Sequence, residues 1–249
     1  MTEAPGSGKP ASRRSQHTES ALPAPPASAS WTGQRGQPTR LLLLRHGQTE
    51  YSAQRRYSGR ADPELTDLGL AQAAAVADGI TAIEGTDKVS AALCSPLRRA
   101  RQTAAPVAAA LGTPVTEHDG LLETDFGEWD GLTFGEARER DPELHRSWLG
   151  DETVPPPGGE SFAEVGRRVA RLRDELLATH AGETLLLVSH VTPIKMLLRM
   201  ALDAGPSVLY RMHLDLASLS VAEFYPDGGA SVRLVNGRFP VTSTVASIA

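Results

Sequence analysis

Four consecutive leucines, Leu41 to Leu44, run directly into Arg45-His46-Gly47-Gln48-Thr49. The run is too short for a membrane span and shows no apolar–polar alternation, so it reads as a β-strand buried on both faces. In an open parallel sheet, chemistry gathers where the carboxyl ends of the strands open into loops. At such an end an arginine offers a rigid fork of donors to an oxyanion, and a neighbouring imidazole can act as base or nucleophile. Gly47 lets the backbone turn close to a bound group. A second apolar run, Leu185-Leu186-Leu187-Val188, ends in Ser189-His190. The two histidines thus mirror each other at the ends of two buried strands.

The rest of the chain limits what can surround these strands. Its 249 residues, 40% hydrophobic and 22% charged, suit one α/β domain with a sizeable core. A net charge of −5 argues against a nucleic-acid surface. The single cysteine, Cys94, excludes a disulfide framework and a cysteine-built metal site; it follows Val89, Ala91 and Leu93 and reads as core. With no transmembrane run and no signal-like apolar stretch at the start, a cytoplasmic enzyme is expected. Residues 1–38 are rich in Pro, Ala, Ser and Gly and are expected to be a disordered tail or linker, followed by a domain over 39–240 and a loose tail over 241–249.

In order, Thr66 caps an expected helix, Lys88 to Cys94 reads as a strand, and Ser95-Pro96 opens an alanine-rich helix with proline in its first turn. Of the three arginines there, Arg98 and Arg101 share one face and Arg99 points elsewhere. Thr113 to Glu117 is a short strand. Residues 133–149 look helical, and Ser161 caps a helix in which Val165, Val169, Leu172 and Leu176 repeat near 3.6 residues. A helix from about Thr192 to Leu202 follows the second apolar strand. His213 to Phe224 and Ala230 to Val235 read as strands about a turn at Pro226-Asp227-Gly228-Gly229. His17, His118, His145 and His180 have unremarkable surroundings, whereas the strand bearing His213 could approach the pocket.

Arg45-His46-Gly47-Gln48-Thr49 resembles the signature of the histidine phosphatase superfamily, the phosphoglycerate mutase-like proteins. Leu65-Thr66-Asp67-Leu68-Gly69, Ser95-Pro96-Leu97-Arg98-Arg99-Ala100 and Leu121-Leu122-Glu123 through Trp129-Asp130-Gly131 match further motifs in the family's order. The resemblance implies an α/β three-layer sandwich, with a mostly parallel central sheet and helices on both faces. It places the phosphate-binding arginine on Arg99 and selects Glu123, among four neighbouring carboxylates, as acid/base. It also implies substrate contacts at Gln48, Thr49, Ser52, Ser58, Gly59 and Val191. The family often has asparagine where Ser52 stands and glycine where Val191 stands. Phe126 and Trp129 are candidates for the pocket wall or for core.

The implied chemistry joins Arg45, His46, Arg99, Glu123 and His190. His46 attacks phosphorus, the arginines and a protonated His190 clamp the oxygens, and Glu123 protonates the leaving alcohol. No metal and no cofactor is implied; the partner is a small phosphate ester, with no nucleic acid and no membrane. Oligomeric state is left open. The stretch from Trp148 to Val154 lacks the paired arginines of the mutases, and Pro157-Gly158-Gly159-Glu160-Ser161 is similar to the phosphatase branch. Ser189 to Lys195 and Leu214 to Ser218 resemble the C-terminal acid phosphatase module of actinobacterial bifunctional ribonuclease H/acid phosphatases, itself similar to α-ribazole phosphatases. A mutase-type phosphotransferase and a non-catalytic phosphate-binding protein are the alternatives.

Overall fold

The structure, a computed structural model, describes residues 1–2, 34–83 and 85–241. Most of the tail expected over 1–38, and residues 242–249 of the tail expected at the other end, lie outside the described residues. Gln34, Arg35 and Gln37 already touch the domain through Ala230 O, Asp227 and Gly182 O.

Six strands form one sheet: β1 (Thr39–Arg45), β2 (Val89–Cys94), β3 (Val115–Glu117), β4 (Thr184–Ser189), β5 (Leu219–Phe224) and β6 (Ala230–Gly237). Their spatial order is β3-β2-β4-β1-β5-β6, parallel from β3 to β1 and antiparallel through β5 and β6. The leucine runs occupy the centre, and Leu41–Leu44 and Leu185–Leu187 are wholly buried.

Alternate residues of each central strand face two separate cores. On one face Leu42, Leu44, Cys94, Leu186 and Val188 meet α2 (Asp67–Ile80) and α3 (Arg98–Leu111). On the other, Leu41, Leu43, Leu185 and Leu187 meet α6 (Phe162–Thr179) and α7 (Val191–Ala201). The chain is thus the α/β sandwich expected, with helices on both faces. Short helices α1 (Glu50–Ala53), α4 (Phe134–Arg140), α5 (Pro142–Gly150) and α8 (Val208–Arg211) lie in the connections.

Three boundaries differ from the sequence expectation. Pro96 stands outside α3, because Ser95 Oγ accepts the Leu97 N–H and the Asp62 carboxylate accepts the Arg98 N–H, so the first turn is capped from a distant loop. The helix expected over 133–149 is two helices: Asp141 ends α4 and starts α5, with Pro142 at the first position. Residues 213–218 form a loop rather than the start of β5. There Ala217, at φ 54°, donates its N–H to His46 O and closes the chain over the end of β1.

Candidate active site

Strand register brings the two histidines together. Arg45 pairs with Ser189 across β1 and β4, so the residues that follow, His46 and His190, leave the sheet side by side. Their ring centroids are 5.0 Å apart. Cys94 pairs with Val188 in the next strand, which delivers Ser95 and the start of α3 to the same end.

His46 is buried, with Nδ1 2.7 Å from Gly47 O. A carbonyl only accepts, so Nδ1 carries the proton and donates it, and Nε2 keeps its lone pair. Burial, then the charges of Arg99 and Arg45, hold the His46 pKa well below the usual 6.5. The ring therefore favours its neutral form at neutral pH. Gly47 has no room for a side chain: an added Cβ would stand 2.6 Å from Gly69 O.

Arg45 donates Nη1 to Leu214 O at 2.6 Å, while its buried Nε makes no hydrogen bond to any of the described residues. Burial pushes its pKa down to about 10, which leaves it charged at neutral pH. Arg99 is fully enclosed on α3. Its Nη1 donates to Ala61 O, its Nη2 to Ser58 O and Gly59 O, and its Nε to His190 Nδ1 at 3.2 Å. Arg98 and Arg101 are exposed and pair with Glu64 and Glu117.

His190 is engaged through both ring nitrogens. With Nδ1 accepting from Arg99, its Nε2 carries the proton and donates to Ser95 Oγ at 2.8 Å. Burial and the charges of Arg99, His46 and Arg45 hold its pKa well below 6.5. These partners favour the neutral ring; the expected clamp is the protonated form.

Glu123 is buried, and its Oε1 accepts the N–H groups of Thr124 at 2.8 Å and Thr192 at 3.3 Å. Thr192 lies in the first turn of α7, where N–H groups without helical partners favour an anion. Arg45, His46 and Glu123 line one cavity of about 960 Å³. Arg99 and His190 are buried next to it without lining it.

Of the expected substrate contacts, Thr49, Ser52, Ser58 and Val191 line the cavity. Ser52 is already used in a capping box with Thr49, its hydroxyl accepting Thr49 N–H and donating to Thr49 O. The buried Ser58 Oγ makes no hydrogen bond to any of the described residues. Gln48 points elsewhere, its Oε1 accepting from the Thr66 hydroxyl. Gly59 supports the site from behind through its carbonyl on Arg99.

The far wall was largely invisible in the sequence. Tyr57, Phe126, Phe134, Trp148, Phe162 and Tyr210 face the cavity, with His145 and Lys195 among them. The His145 ring is buried and bonds Tyr57 OH through Nε2 at 3.0 Å. Of the two aromatic candidates only Phe126 lines the cavity; Trp129 is core, its indole N–H donating to Asp141. His213 does reach the rim, from a loop and largely exposed, paired with Asp215.

A charged corner that holds Arg45, His46 and Glu123 and opens into an aromatic cavity could take an anionic group with an organic part beside it. The family model of the histidine phosphatase superfamily (branch 1) matches residues 41–237. The chain is 63% identical over 211 residues to the bifunctional protein Rv2228c of Mycobacterium tuberculosis, covering 85% of this chain but 57% of that protein. It therefore spans little more than half the length of that relative. It is 32% identical over 183 residues to phosphoserine phosphatase 1 of Hydrogenobacter thermophilus, covering 73% of this chain and 85% of that protein. Among solved structures, a putative α-ribazole-5′-P phosphatase from Escherichia coli aligns with a TM-score of 0.72 at 27% identity, over 80% of this chain and 97% of the other. The chain belongs to the histidine phosphatase superfamily, branch 1.

Proposed function

We propose that the chain is a metal-independent phosphomonoesterase that hydrolyses a small phosphate ester through a phosphohistidine on His46, with Glu123 as general acid and base. The observation that carries this reading is the His46 tautomer: Nδ1 is committed to Gly47 O, and the lone pair of Nε2 is free in the corner shared with Arg45 and Glu123.

In the first step Nε2 attacks phosphorus in line, the bond from phosphorus to the ester oxygen breaks, and Glu123 gives its proton to that oxygen. Arg45 offers its Nε–H, which has no partner among the described residues, and Ser58 its hydroxyl to the equatorial oxygens, and the charge of the buried Arg99, which bonds Ser58 O, adds to theirs. In the second step water attacks phosphorus and yields a proton to Glu123. The phosphorus–nitrogen bond breaks, its electron pair returns to Nε2, and inorganic phosphate leaves. A phosphate dianion in the corner would favour protonation of His190 Nδ1, which requires the Arg99 Nε–H to leave that nitrogen, so the expected clamping role belongs to a site in which Arg99 has shifted.

Hydrolysis rather than phosphate shuttling is supported by the absence of arginine from 148–154, where Glu152 instead holds Arg199. The aromatic cavity gives the leaving group more room than serine or glycerate needs. The test is phosphate release from p-nitrophenyl phosphate in EDTA by the native protein and His46→Ala, followed by phosphoserine, 3-phosphoglycerate and α-ribazole 5′-phosphate. Loss of an EDTA-resistant activity in the variant is expected. Activity surviving in His46→Ala would refute the nucleophile, and phosphoryl transfer to 3-phosphoglycerate outpacing hydrolysis would make the protein a mutase.

A further inference from the structure

Glu123 hangs from a stretch of backbone with almost no hydrogen-bond ladder of its own. Asp119–Leu121 form a single 3-10 turn, and the chain continues through Glu123 to Phe126 as coil. Carbonyls in such a segment must find partners elsewhere when they are enclosed. Here most of them converge on one side chain. Arg168, on α6, donates Nη1 to Gly120 O and Leu122 O, each at 3.0 Å, and to Asp119 O at 3.5 Å. Its Nη2 meets Glu123 O at 3.4 Å. The Ser189 hydroxyl takes the one carbonyl between them, Leu121 O, at 2.7 Å.

The other edge of the same guanidinium grips Glu160, with Nε 3.1 Å from Oε1 and Nη2 2.9 Å from Oε2. Glu160 carries the support past the far side of Glu123: its N–H donates to Asp125 O at 2.8 Å. Both side chains are mostly enclosed, 15% and 19% exposed. One planar fork therefore fixes the backbone on either side of Glu123, while Thr192 N–H fixes its carboxylate.

We propose that Arg168, braced by Glu160, is the positioning residue of the acid/base carboxylate. The proposal rests on the reading of Glu123 as general acid. Proton transfer to the ester oxygen needs hydrogen-bond reach, and a shift of about 1 Å in such a group costs on the order of 10²-fold in rate. Lysine cannot replace the fork, because one ammonium cannot span four carbonyls and a carboxylate together.

A residue that only held the fold together would slow every substrate alike. A positioning residue for a general acid slows most those substrates whose leaving group needs the proton. The experiment compares kcat/KM, which reports steps up to formation of the phosphoenzyme, for p-nitrophenyl phosphate and for 2-phenylethyl phosphate. The first leaves as a stable phenolate; the second would leave as an alkoxide. Arg168→Met, Arg168→Lys, Glu160→Gln and Glu123→Gln are measured beside the native protein. The expected result is a loss on the alkyl ester that exceeds the loss on the aryl ester by ~10-fold or more in both Arg168 variants and in Glu123→Gln, with Glu160→Gln shifted the same way by less.

Equal losses on the two esters in the Arg168 variants, beside a differential loss in Glu123→Gln, would overturn the positioning role while leaving the acid intact. Equal losses in Glu123→Gln itself would refute the acid/base reading and the inference with it. Should the Arg168 variants fail to fold, Glu160→Gln, which keeps the shape of the brace, carries the same requirement, and the absence of a differential there overturns the proposal.

Discussion

His46 and His190 stand with ring centroids 5.0 Å apart because the residues before them, Arg45 and Ser189, are partners across the parallel strands β1 and β4. A slip of one residue in that register would turn every side chain of one strand to the opposite face and would carry His46 and His190 out of step at the strand ends. Burial favours the neutral form of both rings, since it removes the water that would solvate an imidazolium.

That neutrality links stability to pH. Both histidines have folded-state pKa values well below 6.5, so once the pH falls below 6.5 the unfolded chain binds protons that the folded chain refuses. Their contribution is fully present above 6.5 and is lost progressively as the pH falls toward the folded values. Denaturation midpoints should drop between pH 6.5 and about 5, and His190→Gln should show a shallower drop than the native protein. Phosphatase activity should meanwhile persist below pH 6.5, because His46 stays unprotonated; an acid limb centred at or above 6.5 would contradict this.

Arg99 and Arg98 are adjacent and should behave oppositely. Arg99 is enclosed and serves the carbonyls of Ser58, Gly59 and Ala61, so Arg99→Met strands buried acceptors and should cost about 2–4 kcal/mol. It also removes a charge that acts on His46, and if the proposed phosphate site is right, activity should fall by ~10²-fold or more. Arg98 has an exposed side chain paired with Glu64 at 3.2 Å, and Arg98→Ala should stay within about 0.5 kcal/mol of the native protein. Urea titrations read both. Comparable losses in the two variants would contradict the assignment.

The strand ends and their histidines were legible because a doubly buried strand announces itself as a continuous apolar run, and Arg45, His46 and His190 terminate such runs. The division of the arginines was legible from helical spacing. Glu123 was not: four carboxylates crowd that segment, and only the family resemblance selected one. The charge of His190 was beyond reach because it depends on burial first and then on neighbours such as Arg99, 91 residues away. The same holds for the His145–Tyr57 bond, which spans 88 residues, and for Arg168. The loop at 213–218 reads as strand because its alternation continues into β5, and nothing local signals that Ala217 turns to bond His46 O. The break at Asp141-Pro142 was present as an Asp-Pro pair but is outweighed by helical periodicity on both sides.

Phe134 stands at the mouth of the cavity and is 56% exposed. It packs on Tyr57, with ring centroids 4.7 Å apart, but supports no core strand. Phe134→Ser should leave stability within about 0.5 kcal/mol. It should raise KM for esters with a large aromatic group while leaving KM for a small one such as phosphoserine nearly unchanged. Steady-state kinetics on the two substrates decide the matter, and an equal rise for both would show that the mouth does not contact the leaving group.

The most direct test of the central claim is to trap the intermediate. The native protein and His46→Gln are mixed with a phosphorus-32-labelled ester, quenched in alkali within the first turnover and digested. The account predicts label on the peptide carrying His46, stable to base and labile to acid, and no label in the variant. Label on another residue, or native turnover with no labelled protein at any time, would contradict it.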